Sequence, residues 1–163
     1  MSALRLFAAL WLAASLAGCG FHPRGAVVAP SADLQPLQLS GLAAAHPFMR
    51  VLRRQLTEAG VQLAESREAA ARLRILDLDR KRRVFSVNAN NKAVEYEFVY
   101  RLRWRLEKPP GTVILRPEPL VERRIVYEPG GELLGRVREA ELREQDVHAD
   151  LAARLIRRLA AAP

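Results

Sequence analysis

Cysteine is nearly absent from this 163-residue chain, with Cys19 as its one thiol. A lone cysteine excludes an intramolecular disulfide and any cysteine-based zinc cluster. Histidine is scarce as well: His22, His46 and His148 are the full set, and none stands at motif spacing from a carboxylate or a serine. The chain has no G-x-S-x-G elbow, no H-E-x-x-H helix and no P-loop. Asp77 and Asp79 sit two apart on one strand face, a spacing that paired carboxylates use in acid–base work. Arg80, Lys81, Arg82 and Arg83 follow at once, so charge balance is the better reading. No catalytic residue and no metal site is expected.

Lysine is almost missing too, supplying 3 of the 26 basic residues. In an Ala- and Leu-rich chain this ratio reflects GC-rich codon usage, so the choice of arginine alone does not argue for phosphate forks. The net charge of +8 still predicts attraction to an anionic partner. Apolar residues make up 50% of the chain, too many for a disordered polybasic tail. The length suits a single domain with a core of its own.

What is present begins at the N-terminus. Arg5 precedes an apolar run from Leu6 to Ala17, and Gly18-Cys19 follows. This is the layout of a signal peptide, and the run is shorter than the roughly 20 residues that span a bilayer. Leu16-Ala17-Gly18-Cys19 reads as the lipobox of a bacterial lipoprotein: small residues for the peptidase, then a thiol that takes a diacylglyceryl group. Residues 1–18 are thus expected as signal peptide and Cys19 as the lipidated first residue of the mature chain. A further acyl chain is expected on its new amine, and these lipids are the only attached groups expected. Three acyl chains bury far more methylenes than the one that binds marginally. Residue 20 is Gly rather than the Asp that signals inner-membrane retention, which favours the outer membrane. Pro23, Gly25, Pro30 and Pro36 make residues 19–36 a tether.

Beyond the tether, residues 37–163 are expected to form one domain. Leu37-Gln38-Leu39 reads as a short strand. His46-Pro47 opens a helix, proline being suited to the first turn; Phe48, Val51, Leu52, Leu56 and Ala59 share its inner side, and Gly60 caps it. Ala71–Val87 reads as a strand in which the apolar parity changes between Ile75 and Leu76, so a bulge is expected there. Asn88-Ala89-Asn90-Asn91-Lys92 is turn chemistry. From Val94 to Glu107 apolar and charged residues alternate over about 13 residues, a half-buried antiparallel strand roughly 44 Å long. Lys108-Pro109-Pro110-Gly111 turns the chain. Thr112–Tyr127 is an edge strand or two short pieces, because Pro117 and Pro119 interrupt it. From Glu132 to Ala162 the spacing is helical, acidic early and basic late, as the helix dipole favours. The order β-α-β-β-β-α predicts an α+β two-layer sandwich: two helices packed on one face of a mainly antiparallel four-stranded sheet. That face carries Tyr96, Phe98, Tyr100, Leu102 and Trp104.

The basic residues fall in three groups on neighbouring strands: Arg80–Arg83, then Arg101, Arg103 and Arg105, then Arg123 and Arg124. Two readings stay open for a helix-free sheet face bearing them. One is a solvated surface, with Glu95, Glu97, Glu107 and Glu122 as counter-charges; the other is an anion-binding surface. Nucleic acid is not the expected anion, because the aromatics it stacks on point the other way by parity. An acidic glycolipid suits the compartment better.

The stretch Leu16-Ala17-Gly18-Cys19-Gly20-Phe21-His22-Pro23-Arg24-Gly25 resembles the opening of the LptE family of lipopolysaccharide-assembly lipoproteins, with Pro23 where that family usually has Leu. Leu52-Arg53-Arg54-Gln55-Leu56 and Ala59-Gly60-Val61 are similar to its first helix. Ala93-Val94-Glu95-Tyr96 resembles the opening of its long strand. Gln145-Asp146 and Leu155-Ile156-Arg157-Arg158-Leu159 resemble the two ends of its last helix. The resemblance implies a non-enzymatic protein seated in the lumen of the LptD β-barrel in the outer membrane, facing the periplasm. It implies help in assembling that barrel and binding of lipopolysaccharide during delivery to the outer leaflet. The alternative is a stand-alone periplasmic lipoprotein that binds an anionic glycolipid or glycan without a barrel. Which cations meet the lipid does not follow from the family. The sequence points to the hairpin around Arg82, Arg83 and Lys92, with Arg101 and Arg103 behind it.

Overall fold

The long alternation becomes the axis of the structure, a computed structural model that describes residues 29–65, 68–115, 118–128 and 133–162, of which 133–136 as backbone only. Cys19, the signal segment and tether residues 19–28 lie outside the described residues. In chain order the elements are β1 (Leu37–Ser40), α1 (Pro47–Glu58), β2 (Ala71–Val87), β3 (Ala93–Lys108), β4 (Thr112–Leu115), β5 (Leu120–Tyr127) and α2 (Leu133–Ala160). β3 is the central strand. It pairs antiparallel with β2 along almost its whole length, from Arg72↔Glu107 to Val87↔Ala93. β1 adds parallel to the start of β2, from Leu37↔Ala71 to Ser40↔Arg74. The α+β sandwich with a mainly antiparallel sheet is therefore as expected.

The last strand is divided. β4 pairs with β3 at Leu106–Lys108 and β5 pairs with the same edge of β3 at Glu95–Leu102. Two prolines separate these pieces, so a sheet expected to have four strands has five. The expected bulge is present as a register shift between Ile75 and Asp77. It returns Leu78 to the face of Leu73 and Ile75, opposite Leu102.

Local chemistry explains the ends of α1. His46 is its N-cap, with Nδ1 accepting the Phe48 N–H at 3.2 Å, and Pro47 opens the first turn. Gly60 stands at φ +78° beyond the last turn. Its N–H donates to the Thr57 carbonyl and that of Val61 to the Leu56 carbonyl, both at 2.9 Å, the paired closure that a left-handed cap makes. At the β2–β3 hairpin, Asn91 takes φ +57° and Asn88 Oδ1 accepts the N–H groups of Asn90 and Lys92.

The core lies between the helices and one half of the sheet. Phe48, Leu52 and Leu56 of α1 and Val147, Leu151, Leu155 and Ile156 of α2 bury against Leu73, Ile75, Leu102, Trp104 and Leu106. Leu34, in a single 3-10 turn at Ala32–Leu34, joins this core, so folded structure begins before the expected boundary at residue 37. The helical layer is shorter than the sheet. Tyr100, Leu102 and Trp104 are buried, whereas Tyr96 and Phe98 on the same face are only half-buried. The expectation that the helices cover all five aromatic and apolar positions thus holds for three of them. In α2, likewise, the apolar series is buried from Val147 onward while Val137 and Leu142 are exposed.

Candidate functional site: a basic sheet face

Two neighbouring residues of a strand face opposite ways, and this divides the basic run of β2. Opposite Phe98 stands Arg82, and opposite Tyr100 stands Arg80, so both lie on the helix side. Arg83, opposite Glu97, and Lys81, opposite Val99, lie on the helix-free side. The expectation of one patch holding Arg82, Arg83, Arg101 and Arg103 is therefore corrected. Arg83, Arg101 and Arg103 share a face; Arg82 does not. Lys92 sits exposed at the hairpin tip. Arg123 and Arg124 divide in the same way, opposite Val99 and Phe98 respectively.

The helix-side arginines are committed to the fold. Arg80 Nη1 lies 3.0 Å from Glu144 of α2. Arg82 places its guanidinium 3.7 Å from the Tyr96 ring centre, covering an aromatic that the helices leave open. Arg124 pairs with Glu122 and Asp150, and Arg154 Nη1 lies 2.7 Å from Glu122. Such pairs tie α2 to β5.

The helix-free face is different. Register places Arg72, Arg74, Lys81 and Arg83 of β2 beside Arg101, Arg103 and Arg105 of β3, with Arg123 on β5. Its acids are Asp77, Asp79, Glu95, Glu97 and Glu107. Some pairs are made: Arg103 Nη2 to Asp77 at 3.1 Å, Arg83 to buried Glu97, and Arg72 Nε to Gln38 Oε1 at 2.6 Å. Asp77 thus balances charge across the strands, as its surroundings in sequence suggest. Among the described residues, Lys81, Arg101 and Arg123 have no carboxylate within 4.0 Å. Arg74 and Arg105 stand directly opposite each other, an arrangement of like charges that costs stability. Arg105 Nε is sealed from solvent, 3.2 Å from Glu107 Oε2 but off the line of a hydrogen bond. The surface is thus a face with more cations than acids, the acids set among the cations and at the two ends of β3, able to hold a multiply charged anion by several weak contacts. Arg72 and Arg74 were not singled out from sequence. Their signal is the alternation Arg72-Leu73-Arg74-Ile75, which puts both arginines opposite the buried parity.

His148 marks the other polar feature. It is buried beside Phe48 and His46, with ring centres 5.9 and 6.2 Å away. Burial lowers its pKa from 6.5; Glu144, 3.9 Å from Nε2, opposes that shift, while His46 and Arg80 add to it. The imidazole is a neutral packing element between α1 and α2.

Comparison with known proteins places this geometry. Residues 34–159 match the family model described as LptE, lipopolysaccharide-assembly. The LPS-assembly lipoprotein LptE of Photorhabdus laumondii is 31% identical over 146 residues, covering 88% of this chain and 78% of that one. Its counterpart in Pectobacterium atrosepticum is 30% identical over 145 residues, covering 88% and 77%. Among solved structures, the rare lipoprotein B of Shewanella oneidensis superposes with a TM-score of 0.68 at 22% identity, covering 77% of this chain and 93% of that one. Lipoprotein B of Nitrosomonas europaea gives 0.69 at 17% identity, covering 88% and 91%. At these identities the superpositions establish the shared fold.

Proposed function

The chain belongs to the LptE family of lipopolysaccharide-assembly proteins, and from that premise we propose that it is an outer-membrane lipoprotein anchored through acyl chains on Cys19. In this reading it occupies the lumen of an LptD-like β-barrel, assists assembly of that barrel, and binds lipopolysaccharide on its way to the outer leaflet. It catalyses nothing and needs no cofactor; its contribution is shape, charge and position.

The observation that carries the binding half of this reading is the helix-free face. Lipid A phosphates and acidic core sugars offer several anionic groups on one molecule. A strip with Arg74 facing Arg105, and with Lys81 and Arg101 lacking carboxylate partners, gains from such a ligand by relief of like-charge repulsion. The barrel half is supported by the family match and by the charged residues that line the helix-free side of the long strands, which suit a wet lumen.

Co-purification tests the proposal. Native detergent extraction of the lipidated protein from its own membranes should bring down a large β-barrel in stoichiometric amount. Recovery of the protein alone, still able to bind an anionic glycolipid, would instead establish the stand-alone lipoprotein.

A further inference from the structure

β2 is 17 residues long, and its partner on the outer side, β1, covers only Ala71–Arg74. The loop after β1 then closes over Ile75: a Cβ on Gly41 would lie 1.8 Å from the Ile75 carbonyl oxygen. Beyond that point, among the described residues, the outer edge of β2 has no neighbouring strand. Register with β3 runs without interruption from Asp77↔Arg103 to Val84↔Tyr96, with bulges at both ends. Eight consecutive residues therefore form a regular sheet edge. In an antiparallel pair only alternate residues bond to a given neighbour, so the remaining N–H and C=O groups of Asp77–Val84 point outward. Among the described residues no backbone group takes them.

Such an edge is a template for another strand, and its side chains select which. Arg80, Lys81, Arg82 and Arg83 are consecutive and exposed, and the edge ends on Val84 and Phe85, which are 53% and 52% exposed. A second copy of this chain is a poor occupant. Antiparallel pairing about the centre of the basic run would set Arg80 opposite Arg83 and Lys81 opposite Arg82, and like charges directly opposite repel. The same run favours an acidic strand through its helix-free side, where Lys81 has no carboxylate within 4.0 Å among the described residues and exposed Arg83 shares its face; on the helix side Arg80 and Arg82 already meet Glu144 and Tyr96.

We propose that the outer edge of β2 from Asp77 to Val84 accepts an extended acidic segment of a partner protein as an added strand, with an apolar residue of that segment beside Val84 and Phe85. The edge is a property of the sheet and does not depend on lipopolysaccharide binding at the face described above. Backbone pairing supplies the affinity, and Lys81 with the exposed Arg83 beside it on the same face supplies the choice of partner.

The test uses the full chain in detergent micelles and a fluorescent octapeptide alternating glutamate and threonine with valine at one end. Anisotropy should show saturable binding at physiological salt. N-methylation of alternate peptide amides, which leaves charge intact but removes strand pairing, should weaken binding at least tenfold. Lysine in place of glutamate should do the same, as should the pair Lys81→Glu and Arg83→Glu. Hydrogen exchange should slow within residues 77–84 on peptide addition. Equal binding of the N-methylated peptide would reduce the site to plain charge attraction and overturn the proposal. So would absence of saturable binding. Slow exchange of residues 77–84 before any peptide is added would also overturn it, assigning the edge to a second copy if it grows with protein concentration and to another part of this chain if it does not.

Discussion

Arg82 stacks on Tyr96, its guanidinium 3.7 Å from the ring centre, while its neighbour Arg83 pairs with Glu97 on the opposite face of the same strand. Adjacent cations in sequence thus have unrelated surroundings. One extends the apolar face where the helical layer stops; the other belongs to the cationic strip.

This separation makes a contrast in charge reversal. Arg101→Glu, on the strip, should weaken binding of lipopolysaccharide about tenfold, the equivalent of about 1.4 kcal/mol, with little effect on stability. Arg82→Glu should change binding less. Arg82→Ala should cost about 0.5–1 kcal/mol of folding free energy, the range for a stacked cation at an exposed ring. Titration of both variants with lipopolysaccharide, beside urea unfolding, reads the two effects separately. Equal loss of binding in both would merge the two faces into one site.

Much of the fold is legible in the chain because local chemistry decides it. Pro47 and Gly60 bracket α1, Asn91 supplies the positive φ of the hairpin, and the alternation from Val94 to Leu106 needs no partner to be recognised. The parity change at Ile75 and Leu76 also reads as the bulge it becomes. The face of each cation is harder. That bulge moves the helix-side parity from odd to even positions, so a single unpaired residue decides that Arg80 and Arg82, rather than Lys81 and Arg83, turn toward the helices. How far the helices reach along the sheet depends on contacts distant in sequence. Arginines on an apolar parity become intelligible only when Tyr96 and Phe98 are seen beyond the helical layer.

Gly41 offers the sharpest steric prediction. It holds φ +108°, where side chains other than glycine's are strained, and a Cβ would lie 1.8 Å from the Ile75 carbonyl oxygen. The contact is with backbone at the β2 bulge, so no side-chain rotation relieves it. Gly41→Ala should destabilise by about 3 kcal/mol or more, combining strain with displacement of β1. Urea unfolding measures it; a loss below about 1 kcal/mol would mean that the β1 loop can move off β2 freely.

The proposed lipidation of Cys19 gives a prediction that needs only the thiol. Cys19→Ala should abolish incorporation of labelled palmitate and leave the uncleaved precursor behind, since the peptidase acts on the diacylglyceryl form. Lipid still attached to this variant would place the anchor elsewhere and remove the outer-membrane assignment that rests on it.

The last prediction follows from His148. Burial disfavours its charged form, so its pKa in the folded protein lies below 6.5, although Glu144 pulls the other way. The unfolded chain, with a histidine near 6.5, then binds a proton at pH values where the folded chain does not. Stability from this site is complete above pH 6.5 and is lost as the pH falls from there through the lower folded value. Protonation would place a cation between Phe48 and His46, with Arg80 paired to the same Glu144. His148→Gln keeps a polar side chain at the site and removes the titration. Urea midpoints measured between pH 8 and pH 5 should fall more steeply for the natural chain than for the variant, the two curves separating below about pH 6.5. A variant that is less stable at pH 8 but shallower in acid fits a neutral buried imidazole. Parallel curves would mean that Glu144 cancels the effect of burial and leaves no net shift, and a natural chain that falls less steeply than the variant would mean that Glu144 holds the proton on His148 and reverses the sign.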